Sequence, residues 1–298
     1  MAPSIFPVIA VNSPVPLAEK HPQNIMLPPP SFFFLHTWRV EKIRELRDFK
    51  IGEDEVKQLN FLLYGPIGTG KSSVINTIKT IFEGRLYVNY LAASNKSGHN
   101  LLTSRNYTYK KCEVGNSKDG FLPITFNDVM GVEEGDQSGV HTDDIISTLK
   151  GHVKEGYPFI PNSPLTEHNH YYLKNPTMSD KIHCLVCVIQ ADKISMIDED
   201  TIQKMKPVQE EAKRMDLPQV ILMTHVDVAC EMTKKDLRSV YKKNLYVALG
   251  VPMNCIFPVR NYHEEKDIKE DINCLMLDAL TKIVISTEKS FSLPCLAH

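Results

Sequence analysis

The residues Gly65-Pro66-Ile67-Gly68-Thr69-Gly70-Lys71-Ser72 set closely spaced glycines against a lysine and a hydroxyl. They fit G-x-x-x-x-G-K-[ST], a phosphate-binding loop. Glycine lets such a backbone curl until the N–H groups of Gly65, Ile67, Gly68, Thr69 and Gly70 converge on an anion. A helix beginning at Lys71, Ser72 and Ser73 would add the partial positive charge of its N-terminus. The Lys71 ammonium can reach the β- and γ-phosphates of a nucleotide, and the Ser72 hydroxyl can ligate Mg²⁺. From average residue usage, a chance match arises about once per hundred chains of this length.

A second group of residues would complete such a site. Asp128-Val129-Met130-Gly131 offers a carboxylate for Mg²⁺ and a glycine N–H that can sense a γ-phosphate. Thr224-His225-Val226-Asp227 fits the base-reading pattern [NT]-K-x-D, with His225 in place of lysine. The Asp227 carboxylate can accept the N1–H and N2–H₂ donors of guanine. Adenine lacks that donor pair, so it would leave the carboxylate unpaired. Val259-Arg260-Asn261-Tyr262 holds the place of a last base-contacting loop, with a backbone N–H near Asn261 facing the guanine O6. Mg²⁺ also wants a second hydroxyl; Thr103 is the first candidate and Thr108 the second. Lys71 and Thr103 are therefore the candidate catalytic residues. Ser72, Asp128 and Thr103 are the candidate metal ligands. A Ras-type enzyme places a water-orienting glutamine after the glycine of D-x-x-G. Val132 stands there instead, and an apolar side chain cannot position water. Glu133, Gln137 or His141 could take that part, or a partner could supply it.

These residues need elements to hold them. The apolar run 61–64 before the loop has buried-strand length. Val74, Ile75, Ile78, Ile81 and Phe82 after it fall on one helical face. Further strands are expected over 107–114 and 122–127, joined by the turn-forming Asn116-Ser117-Lys118-Asp119-Gly120. The runs 182–189, 219–223 and 255–259 read as three more. Helices are expected over 38–50, 143–153, 197–215, 233–249 and 267–285. Strands alternating with helices imply crossovers and a parallel sheet covered on both faces. The expected fold is thus α/β: a P-loop NTPase with a small-GTPase-like G domain, a mostly parallel sheet and one antiparallel strand. Its expected extent is 59–290, preceded by a helix and linker over 32–58 and followed by a tail over 291–298. Residues 1–31 carry Pro3, Pro7, Pro14, Pro16, Pro22 and Pro28-Pro29-Pro30, and read as an extended tail.

Composition excludes several other classes. The chain has 298 residues, 42% hydrophobic and 23% charged, enough to bury a substantial core. Its net charge of −2 provides no global field for nucleic acid. Seven cysteines is an odd number without disulfide-scaffold density. Cys184 and Cys187 stand three apart in an apolar run, so on a strand they point to opposite faces and read as core rather than as a metal pair. No N-terminal signal peptide, membrane-length apolar run or Met-Gly start occurs, and a final histidine makes Cys295 an unusual prenylation site. These features point to a cytoplasmic protein.

Together, the phosphate loop with Ser73, Asp128–Gly131, Gly151-His152-Val153, Asp180-Lys181-Ile182-His183-Cys184, Thr224–Asp227 and Asn261-Tyr262 resemble the GTPase-like domain of the interferon-induced protein 44 family. The resemblance covers approximately residues 38–290. It implies a cytoplasmic protein that binds GTP or GDP with Mg²⁺ and is raised by interferon in innate antiviral defence. Larger members of that family carry an N-terminal TLDc domain, where this chain has the proline-rich tail. A protein effector is implied without being identified, and a homodimer across the nucleotide is left open by analogy. Three readings remain on the residues alone: a Mg²⁺-dependent guanine-nucleotide switch with weak or partner-stimulated hydrolysis, a non-catalytic interaction protein with structural nucleotide, and an ATP-using P-loop enzyme.

Overall fold

A computed structural model describes residues 32–87, 108–133, 139–197, 199–229 and 251–292. Its centre is strand β1, Leu59–Tyr64, whose six residues are all buried. A strand covered on both faces is largely apolar and shows no alternation; its one polar amide, Asn60, is satisfied by donating to the Ser179 and Lys181 carbonyls. Leu59, Phe61 and Leu63 face one apolar cluster, while Leu62 and Tyr64 face another. Helix α2, Lys71–Glu83, follows the phosphate loop and buries Val74, Ile75, Ile78, Ile81 and Phe82. It stops at Gly84, whose N–H caps the Thr80 carbonyl from a left-handed conformation.

Strands β2, Lys110–Asn116, and β3, Gly120–Asp128, form the expected hairpin. The Asn116 side chain accepts the N–H groups of Lys118 and Asp119, which fixes the turn. β2 begins later than its sequence suggests because Thr108 and Tyr109 pair with Pro158 and Tyr157 instead. Strand β4 is Cys184–Gln190, β5 is Gln219–Thr224 and β6 is Ile256–Pro258. The sheet order is β2-β3-β1-β4-β5-β6, and only the β2–β3 pair is antiparallel. β1 lies between β3 and β4, so the chain leaves β1 at the point where strand order reverses. Ligands of open α/β sheets bind in the crevice at such a point.

Helix α3, Thr142–Leu149, is shorter than its apolar period predicts. It ends at Lys150 and Gly151 because Gly151 lies against the Asp180 backbone, where an added Cβ would come within 2.8 Å. Val153 stays buried beyond the helix through a bridge to Tyr172. The long segment that follows is pinned by Asp144, which accepts the Leu165 N–H at 2.6 Å and the Tyr157 hydroxyl at 3.1 Å. Helix α4 is Glu199–Arg214, and α5, Val226–Ala229 among the described residues, is one that the sequence pattern does not suggest. The helix expected over 233–249 lies outside the described residues.

Helix α6, Glu270–Ser292, runs further than expected and packs on helix α1, Phe32–Asp48, which also starts earlier than its pattern indicates. Leu35, Leu46, Cys274 and Thr287 are buried along these helices. Cys184 and Cys187 enter the two opposite clusters, as a strand requires. No group of metal-ligating His, Cys, Asp and Glu side chains forms among the described residues. No described helix is long and apolar enough to cross a membrane.

Candidate nucleotide-binding site

All five parallel strands bring the loop or a polar residue to the same edge of the sheet. The phosphate loop leaves β1, Asp128 ends β3, Gln190 ends β4, Thr224 ends β5, and Asn261 follows β6. This convergence follows from parallel topology: every strand points its carboxyl end the same way.

At the loop, the Lys71 ammonium turns back and donates to the carbonyls of Gly65 and Pro66, at 2.9 and 2.8 Å. Its side chain is thereby held against the loop's own backbone. Gly70 has φ of 92° and precedes α2 without a side-chain cap, a conformation that side chains rarely adopt. The first turn of α2, with Ser72 and Ser73, therefore presents its amide end to whatever the loop encloses. Ser72 donates its hydroxyl to Asp128 at 2.9 Å. That hydroxyl and carboxylate form a hard oxygen pair suited to Mg²⁺, which takes few protein ligands and keeps several waters. Thr103, the other candidate ligand, lies outside the described residues.

The electrostatics are those of a site short of counter-charge. Burial lowers the Lys71 pKa from 10.5 to about 8, opposed by the attraction of Asp128. Burial also raises the Asp128 pKa, opposed by Lys71 and by the Ser72 hydrogen bond. Desolvation thus works against both charges. A polyphosphate beside Lys71 and a divalent cation beside Asp128 would each restore the charged form.

The residues after Asp128 are tied to the loop itself. Val132 donates its N–H to the Gly65 carbonyl and accepts from the Ile67 N–H, both at 3.0 Å. Gly131 packs so closely on Ile67 that an added Cβ would lie 2.8 Å from its backbone. The Val132 side chain enters the apolar cluster with Tyr64 and Ile145. It is therefore both chemically and geometrically unable to orient water. Of the substitutes considered from sequence, His141 accepts the Asp143 N–H as the cap of α3. Glu133 is half-buried and its carbonyl accepts from Lys204, and Gln137 lies outside the described residues. Thr108 pairs through its backbone with Pro158.

The other end of the site is made by β5 and β6. The Thr224 hydroxyl lies 2.8 Å from the Thr69 carbonyl and 3.1 Å from that of Ile189, fastening β5 to the loop. His225 has φ of 55°, a left-handed turn rare outside glycine, and its ring Nδ1 lies 3.1 Å from the Thr224 hydroxyl. This turn starts α5 and sets Asp227 in its first turn. The Asn261 amide donates to the Gly70 carbonyl at 3.3 Å and accepts from the Thr77 hydroxyl at 3.4 Å. Its side chain is thus a clasp on α2, which leaves the backbone as the part that can face a base.

Two further neighbours of the site belong to no motif of their own. Gln190 donates to the Gly68 carbonyl at 3.0 Å. The first polar residue after an apolar parallel strand was a usable signal for it. Arg260 lies with its Nε 3.3 Å from Asp227 Oδ2. Nothing local in the sequence announces that pairing.

The loop, its flanking strand and helix, and the strand order define a P-loop fold of small-GTPase type. The curated homologues of this chain are members of the interferon-induced protein 44 family. Mouse (Mus musculus) interferon-induced protein 44 is 29% identical over 255 residues, 83% of this chain and 59% of the relative. Human interferon-induced protein 44-like is 28% identical over 251 residues, 81% of this chain and 54% of the relative. Human interferon-induced protein 44 is 29% identical over 255 residues, 83% and 56% of the two chains. The chain therefore spans a little more than half the length of these relatives. No family model matches it. Among solved structures, apo translation elongation factor SelB from Methanococcus maripaludis matches at 12% identity and a TM-score of 0.35, over 80% of this chain and 34% of that one. An Aquifex aeolicus Era variant bound to GDP·AlF4⁻ matches at 15% identity and a TM-score of 0.35, over 78% and 57%.

Proposed function

We propose that this chain is a Mg²⁺-dependent guanine-nucleotide-binding protein of the interferon-induced antiviral response. In this reading it works in the cytoplasm and hydrolyses GTP slowly or with the help of a partner protein. The observation that carries the proposal is the convergence of Lys71, the Ser72–Asp128 pair, Thr224 and Asn261 on one glycine-rich loop at the carboxyl edge of a parallel sheet. Lys71 and the loop amides would hold the phosphates. Ser72 and Asp128 would hold Mg²⁺, which supplies positive charge to the β- and γ-phosphate oxygens when bound. Asp227 would read the guanine edge. The interferon response enters from the names of the homologues.

A second reading is favoured by one specific feature. Val132 is 2% exposed and its backbone is fastened to the loop, so the usual place of a water-orienting side chain is filled by core. On that reading the chain binds nucleotide and signals by occupancy without turning it over. One experiment separates the two readings and tests both. GDP, GTP and ADP are titrated with and without Mg²⁺, and phosphate release from GTP is then followed. The proposal expects guanine preference, tighter GTP binding with Mg²⁺, and slow release. Guanine preference without release supports the second reading. Equal affinity for ADP and GDP defeats base reading in either.

A further inference from the structure

The stretch that ends β6 does more than pass beside the site. β5 and β6 pair with Met223 opposite Pro258, and the Val259 N–H donates to the Met223 carbonyl at 2.8 Å. That register carries Arg260 alongside the turn at His225 and up to Asp227. Its guanidinium then bridges two carboxylates. Nε lies 3.3 Å from Asp227 Oδ2, and an Nη donates to Glu265 Oε1 at 2.6 Å. Glu265 is itself fixed, because its other oxygen accepts the His263 N–H at 2.7 Å. Its side chain is 10% exposed, against 23% for Asp227 and 30% for Arg260. The pair is therefore anchored at its Glu265 end and open at its Asp227 end.

We infer that Arg260 is a positioning residue for guanine specificity: held by Glu265, it fixes the Asp227 carboxylate in the orientation that reads the base. This inference rests on the guanine reading proposed above. The chemistry supports that role in two ways. The T-H-V-D turn has His225 where the base-reading pattern has lysine, and Asp227 sits in the first turn of α5 directly after the left-handed residue His225, so a contact from outside that turn can set its carboxylate. A guanidinium is a planar fork with five N–H donors and can serve two carboxylates at once. It engages Asp227 through a single oxygen at 3.3 Å. An ionised carboxylate has about four acceptor positions, so Oδ1 and the remaining lone pairs stay available to the N1–H and N2–H₂ of guanine.

The test uses the full chain and compares GDP, ADP and inorganic pyrophosphate by calorimetry, in wild type, Arg260→Ala, Arg260→Lys and Glu265→Gln. Arg260→Ala should weaken GDP about tenfold or more while ADP and pyrophosphate stay within about twofold, because only the orientation of Asp227 is lost. Arg260→Lys should recover part of the preference, since an ammonium gives one contact but cannot bridge both carboxylates. Glu265→Gln should fall between wild type and Arg260→Ala. Retained pyrophosphate binding certifies that a variant is folded. An unchanged GDP-to-ADP ratio in Arg260→Ala overturns the inference. Tighter GDP binding in that variant overturns it as well, since Arg260 would then be a plug competing with guanine for Asp227. Equal loss of all three ligands assigns Arg260 to the fold of the whole site and likewise overturns it. A wild type without guanine preference fails the parent reading before any variant is compared.

Discussion

On the proposed reading, the phosphate end and the base end of the site are built in opposite ways. The phosphate end is one contiguous loop, closed on itself by Lys71 bonds to Gly65 and Pro66 and roofed by backbone bonds from Val132. Lys71 and Thr69 are buried within it, and the groups it offers a ligand are largely backbone amides. The base end is assembled from the ends of β5 and β6, and the groups it offers are partly buried side chains. Asp227 and Arg260 come from different strands and meet only because those strands pair in a particular register. A grip made of backbone is indifferent to which base is attached, whereas discrimination needs side chains placed by tertiary structure. The two ends should therefore fail independently.

Substituting Lys71 tests the phosphate end and should give the largest effect. Lys71→Ala removes the buried cation of the phosphate loop, and should cost on the order of 100-fold in affinity for GDP and ADP alike. Titration with both nucleotides checks this. A loss confined to GDP would break the comparison, because it would couple the phosphate grip to base identity. Asp227→Asn probes the other end. It should weaken GDP by roughly 30-fold, leave pyrophosphate unaffected, and improve xanthosine diphosphate, whose extra carbonyl accepts the amide N–H. If GDP binding is unchanged, Asp227 does not read the base.

The pH dependence sharpens the contrast further, with a smaller effect. The unliganded Lys71 pKa is about 8, lowered from 10.5 by burial. Above pH 8 the lysine is increasingly neutral, and a bound polyphosphate must recharge it. Nucleotide binding should then take up a proton, and affinity should fall by up to about tenfold per pH unit as pH rises above 8. Calorimetry in buffers of different ionisation enthalpy reads that proton, and Lys71→Ala should abolish it. The same depressed pKa has a defined consequence for folding. Between about pH 8 and 10.5 the unfolded chain binds more protons than the folded one at this group, so its contribution to stability rises with pH across that window. Asp227→Asn should leave both behaviours intact.

Legibility in the sequence followed the same division. The phosphate loop, β1 and α2 were readable because their signals are local: glycine spacing, an apolar run and a helical period. The hairpin turn was readable from Asn116 and Gly120 for the same reason. The ends of several elements were not. α3 stops where Gly151 meets the Asp180 backbone, and β2 starts where Tyr109 stops pairing with Tyr157. Those limits are set by residues tens of positions away. α1 begins before its expected start and α6 ends beyond its expected stop for a related reason, since each supplies apolar surface that keeps the other helical.

What the amino-acid sequence determined by itself was the alternation of strands and helices, the phosphate loop, and the residue types of a nucleotide site. Local steric preference and hydrophobic period are sufficient for these. Only the tertiary structure decided that Asn261 clasps α2, that Val132 is core fastened to the loop, and that Arg260 faces Asp227. Such contacts depend on strand order and register, which are set by burying both faces of the sheet at once and leave no mark on any single stretch of chain.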